Sequence, residues 1–593
     1  MVQGPTARRH IGLRLLAIAL AGVAQGLALA WPFGVAQADW LTPASAWLNL
    51  WPQPGQPWPA LQVVAMAIWL VLLRGAATGR AAFVSGWVFA SAGLTATFWW
   101  LFISMHTYGG LPAPLAGLAV VALAGVLALY GALVSWLFWR LPLIRWFQNA
   151  LFFACLWALA ELARGVWFTG FPWGAVGYAH VNSLGWAAPW VGVYGMGALA
   201  VCLAVGLAHA WRSRVMGMAG RAMALAGVLA VLAVGPAVQR ALPGFTQPAG
   251  ELPLVLLQGN IAQDEKFQPG SGVPRALADY ALGFTRRGVD TSVAQMDAVE
   301  RSPVAAGTLV VAPETALPLL PQQLGVEYWQ PVLSLLAVQQ HAVITGLPLG
   351  NHADGYANAI WGITPTQAGR AIQRLADGAS PAHLDEGAGA VYRYAKHHLV
   401  PFGEFIPPLA KWFVEMMNIP LGDFNRGALS QPPFEWAGQR IAPNICYEDL
   451  FGEELAQRFA DPAQAPTVMV NLSNLGWFGN TVALDQHLHI SRLRALELER
   501  PMVRATNTGA TVVVDHLGQV THAHPRAKSG ELAATAVGRE GLTPFARWAG
   551  QSGLMWAWLW AGAGCFAGVW LHYKQVRRRS PSLDDGPPPG SQP

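Results

Sequence analysis

Charge is what this 593-residue chain has least of. Asp, Glu, Lys and Arg make up 12% of it and hydrophobic residues 53%, against roughly 25% charged in an ordinary soluble domain. A wholly water-soluble protein is thereby excluded, and the length leaves room for a membrane part and a soluble part. The net charge is +5, and the basic residues lie in short clusters beside apolar runs. That pattern sets membrane topology and does not make a nucleic-acid-binding face. Cysteine is scarce too: Cys155, Cys202 and Cys565 fall inside apolar blocks, which leaves Cys446 alone in the soluble part. An intradomain disulfide and a Cys-x-x-Cys zinc or redox site are excluded there. Lysine occurs five times, as Lys266, Lys396, Lys411, Lys528 and Lys574. There is no G-x-S-x-G elbow and no phosphate-binding glycine loop.

What is abundant is the long apolar run. A membrane span needs about 20 mostly apolar residues, and eight are predicted, at roughly 11–30, 57–73, 83–104, 112–138, 148–168, 184–211, 221–240 and 553–572. Arg8, Arg9 and Arg14, then Arg74 and Arg80, Arg140 and Arg145, Arg212, Arg214 and Arg221, and finally Lys574 and Arg577–Arg579 mark one side. The loops 31–56, 105–111 and 169–183 contain no Lys or Arg. The positive-inside rule then puts both termini in the cytoplasm and segment 241–552 on the opposite side, which in bacteria is the periplasm. Val35-Ala-Gln-Ala38 after the first run resembles a signal-peptidase site, but that run is longer than a usual signal core, so a retained helix is expected. Glu161 and Arg164, three apart in an apolar span, are placed to pair on one face. Trp99, Trp100, Trp167, Trp173, Trp477 and Phe478 are predicted to form an interfacial rim.

Residues 1–240 are thus expected to be a seven-helix membrane domain, 553–572 a last transmembrane helix, and 580–593 a disordered cytoplasmic tail. Between 245 and 545 the pattern changes. Short β-rich runs at 252–258, 308–312, 342–346, 359–363, 441–446, 467–472, 502–505 and 511–514 are continuously apolar, as suits strands buried on both faces. Helical stretches at 274–300, 327–340, 449–460 and 484–500 lie among them, the last ended by Pro501. This reads as an α/β layered domain, with no internal repeat.

Three segments of that domain each offer one reactive group. They are Val311-Ala-Pro-Glu-Thr-Ala-Leu-Pro318, Tyr394-Ala-Lys-His-His-Leu-Val-Pro-Phe-Gly-Glu-Phe405 and Asn444-Ile-Cys-Tyr-Glu-Asp-Leu-Phe451. Glu314 is a base, Lys396 an oxyanion stabiliser and Cys446 a nucleophile, a set sufficient for acyl transfer or hydrolysis through a thioester. Cys446 falls where a strand turns into a predicted helix, so the helix dipole is expected to favour its thiolate. His487 and His489 are two apart on a predicted helix and share no face, so neither a metal nor a cofactor is expected.

These segments resemble the Glu–Lys–Cys triad of the nitrilase superfamily. Set between seven N-terminal spans and one C-terminal span, they resemble the apolipoprotein N-acyltransferase family. Trp157-Ala-Leu-Ala-Glu-Leu-Ala-Arg-Gly165, Thr169-Gly-Phe-Pro-Trp173, Tyr108-Gly-Gly-Leu-Pro112, Gln258-Gly-Asn-Ile261, Trp477-Phe-Gly479 and Arg494-Ala-Leu-Glu-Leu-Glu-Arg-Pro501 add to the likeness, with Arg504-Ala-Thr-Asn-Thr-Gly509. The resemblance implies a polytopic α-helical membrane domain joined to an αββα sandwich. It implies Glu314 as general base and acid, Lys396 as oxyanion holder and Cys446 as nucleophile. Glu404 matches a supporting carboxylate, Tyr447 and Glu448 follow the nucleophile, and Asn358 and Gly346 shape the pocket. Phe267 stands where the family usually has Trp and is expected to act as a mobile apolar lid, and Trp477 is expected to be a further supporting residue. Leu475 replaces the family's usual Asp. The partners implied are a phospholipid acyl donor, a diacylglyceryl-modified apolipoprotein acceptor and membrane lipid, handled by a monomer in the bacterial inner membrane. The alternative is a membrane-tethered nitrilase-type amidase acting on a soluble amide.

Overall fold

The computed structural model describes residues 5–34, 50–285, 304–406 and 423–578. The signal-like Val35–Ala38 and the tail 580–593 lie outside them, as does the end of the helix expected at 274–300. Among the described residues, six helices have the length and apolarity to cross a membrane: residues 10–27, Gly79–Phe98, Ala113–Arg140, 146–169, 185–212 and Met218–Ala241. The expected count of eight is not met by this measure: among the described residues the number is six, or seven if a bent pair at the C-terminal end is taken as one span. Pro59–Leu73 has 15 residues, about 22 Å of helix, too short for a hydrocarbon core of about 30 Å. The last run is a pair, Pro544–Ser552 and Met555–Arg577, bent by 96° at Gly553, whose φ is +56°.

Small residues let the first helices approach closely. A Cβ on Gly22 would meet the carbonyl of Phe89 at 2.2 Å, and one on Gly26 the carbonyl of Gly93 at 2.4 Å. This is the small-xxx-small packing of membrane helices, where apolar burial supplies no driving force between spans.

The soluble part contains two six-stranded sheets. The first has strands β1 (Thr246–Gln258), β2 (Leu309–Val311), β3 (Ala342–Asn351), β4 (Gly355–Ile363), β5 (Tyr392–Ala395) and β12 (Gly530–Gly541) in the order β12-β1-β2-β3-β4-β5. The second has β6 (Phe434–Trp436), β7 (Gln439–Ile445), β8 (Val468–Ser473), β9 (Met502–Thr506), β10 (Val512–Val514) and β11 (Val520–Ala523) in the order β11-β10-β9-β8-β7-β6. Each sheet has a parallel trio, β1-β2-β3 or β7-β8-β9, followed by two antiparallel strands. The two sheets thus repeat one topology, although the sequence shows no repeat.

Strand alternation explains the layering. Leu254, Leu256, Val311 and Ile344 meet Ile445, Val470, Leu472 and Val503 in one core between the sheets. Val255, Leu257, Val310 and Val343 face the other way, onto helices Gly272–Thr285, Pro321–Ala337 and Pro365–Ala376. On the far side, Met469, Met502 and Val512 pack against helices Ala483–Leu498 and Pro544–Ser552. The αββα sandwich implied by the resemblance is the architecture found. All eight predicted strands are present. Strands β5, β6, β11 and β12 were not legible, being short, or in the case of β12 a half-exposed edge of small and charged residues.

Helix Ala483–Leu498 is buried along its whole length. Leu484, Leu488 and Leu498 face the second sheet, and Ile490, Leu493 and Leu496 join the membrane helices' core. Its charged residues are therefore enclosed. Burial pushes the Glu497 carboxyl up to about 7, although Arg494 at 3.1 Å and the Val193 N–H at 2.8 Å oppose it. In the neighbouring short helix Gly452–Ala456, partial burial, with Glu454 adding to it, pushes Glu453 up to about 8. A free Glu titrates near 4.3, so between that pH and 7–8 the folded protein binds more protons than the unfolded chain. This stabilising term is complete at low pH and is lost as pH rises through 7–8. The melting temperature in detergent is expected to fall from pH 5.5 to pH 8.5, with a shallower slope in Glu497→Gln. A melting temperature that rises over this range would remove the assignment.

Candidate active site

The three reactive groups come from the ends of three strands. Glu314 follows β2, Lys396 follows β5 and Cys446 follows β7. Lys396, 1% exposed, sits between two carboxylates, with Glu404 at 2.9 Å and Glu314 at 3.5 Å. The Asn358 side-chain amide bridges the same pair, its Nδ2 donating to Glu314 Oε1 and to Glu404 Oε1 at 2.7 Å each. The outer oxygens are held by main chain: Asn474 N–H donates to Glu314 Oε2 and Val400 N–H to Glu404 Oε2, both at 2.8 Å. Each of these partners donates to a carboxylate oxygen.

Electrostatics set the resting states. Burial works against the charged form of Lys396, but Glu404, Glu314 and Cys446 outweigh it and raise its pKa. The thiol of Cys446 is pushed up chiefly by burial, with Glu314 adding to the rise and Lys396 opposing it. Cys446 therefore rests as a thiol, and a base would have to take its proton before the sulfur could act as a nucleophile. The helix dipole expected to help it is absent. Cys446–Leu450 is a five-residue 3-10 turn, because Glu448 and Asp449 turn inward to bonds of their own. Cys446 itself has φ +48°, a strained backbone for a residue with a Cβ.

The supporting residues divide into two groups. Glu448 is a tie between strand ends. It accepts from Ile445 N–H at 2.6 Å, from His397 N–H at 2.7 Å and from the Tyr394 hydroxyl at 2.8 Å, and so joins the Lys396 segment to the Cys446 segment. Gly346 underlies Glu314: a Cβ there would meet Thr315 N at 2.6 Å and Pro313 O at 2.7 Å. Asn358 is central, as described. Tyr447 turns toward the membrane helices, where its hydroxyl donates to the Gly170 carbonyl at 3.1 Å. Phe267 is 50% exposed, and Trp477 packs edge-on against Tyr108 at 5.8 Å.

Two expectations about the membrane residues change. Trp100 and Trp173 are 1% and 3% exposed, so they are plugged into the interface with the soluble part, while Trp99 and Trp167 remain exposed. Glu161 and Arg164 bind the loop 171–176 instead of each other. Glu161 accepts from Val176 N–H at 2.8 Å, and Arg164 donates to the carbonyls of Phe171 and Trp173 at 2.9 and 2.5 Å.

The sequence reading missed Lys266, Asn474 and His487. Lys266 is 1% exposed and donates to the Glu314 carbonyl at 3.1 Å. In the sequence Lys266 directly follows Asp264 and Glu265, so it reads as an ordinary exposed charge and carries no local signal of burial. Leu475, where the resemblance leads one to expect Asp, is fully buried in the apolar cluster beneath helix Ala483–Leu498.

A thiol, an ammonium and two carboxylates converging at strand ends of an αββα sandwich define a carbon-nitrogen hydrolase-type site. Residues 296–547 match the carbon-nitrogen hydrolase family, and residues 44–206 match the apolipoprotein N-acyltransferase N-terminal domain. An apolipoprotein N-acyltransferase of Verminephrobacter eiseniae is 49% identical over 90% of this chain and 92% of its own. One from Ralstonia nicotianae is 43% identical over 83% and 86%, and one from Bordetella bronchiseptica 40% over 86% and 92%. The chain belongs to the apolipoprotein N-acyltransferase family.

Proposed function

We propose that this enzyme transfers an acyl chain from a membrane phospholipid to the α-amine of an N-terminal diacylglyceryl-cysteine on an apolipoprotein, through a thioester on Cys446. The observation that carries the chemistry is Lys396 held between Glu314 and Glu404 beside a half-buried thiol. Glu314 takes the thiol proton, and the sulfur attacks the ester carbonyl carbon. Lys396 stabilises the oxyanion. The C–O bond breaks, and the lysophospholipid leaves with the proton returned by Glu314. In the second half, Glu314 takes a proton from the incoming amine, nitrogen attacks the thioester, and the C–S bond breaks to leave an amide. Cys446 recovers its proton.

The membrane context supports a lipid donor. The nucleophile's turn packs on the membrane helices through Tyr447, Leu450 and Phe451, so an acyl chain reaches the site from the bilayer side and water is limited, which protects the thioester. We place the catalytic domain, residues 245–545, on the periplasmic face of the inner membrane, with both termini cytoplasmic and one chain sufficient for catalysis. Residues 1–240 and 553–572 are its membrane parts.

Intact-mass measurement of the protein incubated with phospholipid alone tests this. A hydroxylamine-sensitive gain of one acyl chain is expected, and its absence in Cys446→Ser. Turnover of a soluble amide with no acyl adduct would replace this reading with the tethered amidase.

A further inference from the structure

His487 is fully buried, and its two ring nitrogens have different partners. Nδ1 lies 2.9 Å from Nη2 of Arg504. A guanidinium has only donors to offer, so Nδ1 is an acceptor and carries no proton. A neutral ring then bears its proton on Nε2, which lies 3.2 Å from the carbonyl oxygen of Cys446 and donates to it. Burial and Arg504 both lower the pKa of this histidine well below its ordinary value, in keeping with a neutral ring. The same carbonyl accepts from Asn471 Nδ2 at 3.4 Å. It belongs to the residue whose φ is +48°, so a bond to it opposes relaxation of the turn.

Both ends of this arrangement are anchored. Arg504 pairs with Asp449 Oδ2 at 3.1 Å and bonds to Ser491, which itself donates to Asp449. On the other side, the residue preceding His487 is gripped by the membrane helices. Gln486 Oε1 accepts from the indole N–H of Trp173 at 2.8 Å and of Trp100 at 3.1 Å, and its Nε2 donates to the Thr97 carbonyl at 3.4 Å. The Trp173 ring lies 5.6 Å from the His487 ring.

We propose that His487 is a positioning residue for acyl transfer: as the Nε2–H tautomer it locks the Cys446 carbonyl, and with it the turn that presents the thiol, while Trp100 and Trp173 hold it in register through Gln486. The proposal rests on Cys446 being the nucleophile. It assigns the membrane helices a part in aligning the nucleophile as well as in holding lipid.

Two isosteric substitutions separate the functions of the ring. Gln places an amide nitrogen near the position of Nε2 and keeps the donor to Cys446. Asn places its amide near Nδ1, so it keeps an acceptor for Arg504 and loses the bond to Cys446. The full-length protein in mixed micelles with dioleoyl phosphatidylethanolamine is followed by intact mass for the rate of acyl-thioester formation. His487→Gln is expected within about 5-fold of the parent. His487→Asn is expected about 10²-fold slower at saturating lipid, with the half-saturating lipid concentration unchanged, as for a misplacement of a reacting group by about 1 Å. Equal losses in both variants, or none in either, overturn the proposal. A purely packing role lowers both rates and both melting temperatures together. If His487→Asn does not fold, the ¹⁵N spectrum of the parent decides, with His487→Gln identifying the resonances. An Nε2–H tautomer is expected at pH 7, and an Nδ1–H or doubly protonated ring overturns the proposal. Failure of the Cys446 reading is seen separately, as a parent that acquires no hydroxylamine-sensitive acyl group.

Discussion

Lys396→Met is expected to lower the rate of acyl-thioester formation by at least about 10³-fold, which exceeds the usual loss for one oxyanion donor. Two effects add. The oxyanion loses its ammonium partner. In addition, Glu314 and Glu404 are left accepting from the same Asn358 amide with no cation between them. Two carboxylates so close do not both remain ionised, and a proton held there occupies the base that Cys446 needs. Removing one member of a buried charge cluster also costs about 3–5 kcal/mol of stability. The measurements are intact mass after incubation with phospholipid and a melting curve on the same sample. A variant that retains a tenth of the parent's rate would take the oxyanion role away from Lys396.

The second large effect separates the two carboxylates. Both contact Lys396 and Asn358, so the bond pattern alone treats them alike. Their relation to the thiol does not. Of the two, Glu314 acts more strongly on the Cys446 titration. Glu314→Gln is expected to lower thioester formation by about 10³-fold, within the range for loss of a general base. Glu404→Gln keeps an oxygen for Lys396 and for the Val400 N–H, and about a 10-fold loss is expected from one fewer hydrogen bond to a charged group. Single-turnover rates with phospholipid, taken between pH 6 and pH 9, decide the matter. A Glu404→Gln loss as large as that of Glu314→Gln would mean that the base is shared or has been assigned to the wrong residue.

Several parts of this site were legible because they obey local rules. Glu314, Lys396 and Cys446 each follow an extended run, and a reactive residue just after a buried strand stands out in a chain so poor in charge. Asn358, Gly346 and Glu448 were marked through family resemblance, but their work was not readable. Glu448 joins two strand ends that are 50 residues apart in the chain, and Gly346 matters because the Glu314 turn crosses directly above it. Other readings failed for a stated reason. The aromatic rim was drawn from composition, which cannot tell a tryptophan facing lipid from one whose N–H is claimed by Gln486.

The sequence by itself determined the class of molecule. Apolar runs long enough to enter a bilayer, charge asymmetry between loops, buried-strand patterning and one soluble-domain cysteine are all short-range properties, and each is set by burial or transfer of nearby residues. Tertiary structure decided the rest. It bent the last apolar pair, enclosed helix Ala483–Leu498 between a sheet and the membrane helices, and brought Arg504, His487 and Gln486 behind Cys446. Such contacts join residues up to several hundred positions apart. Their free energy depends on which groups are desolvated together, and no local pattern carries that information.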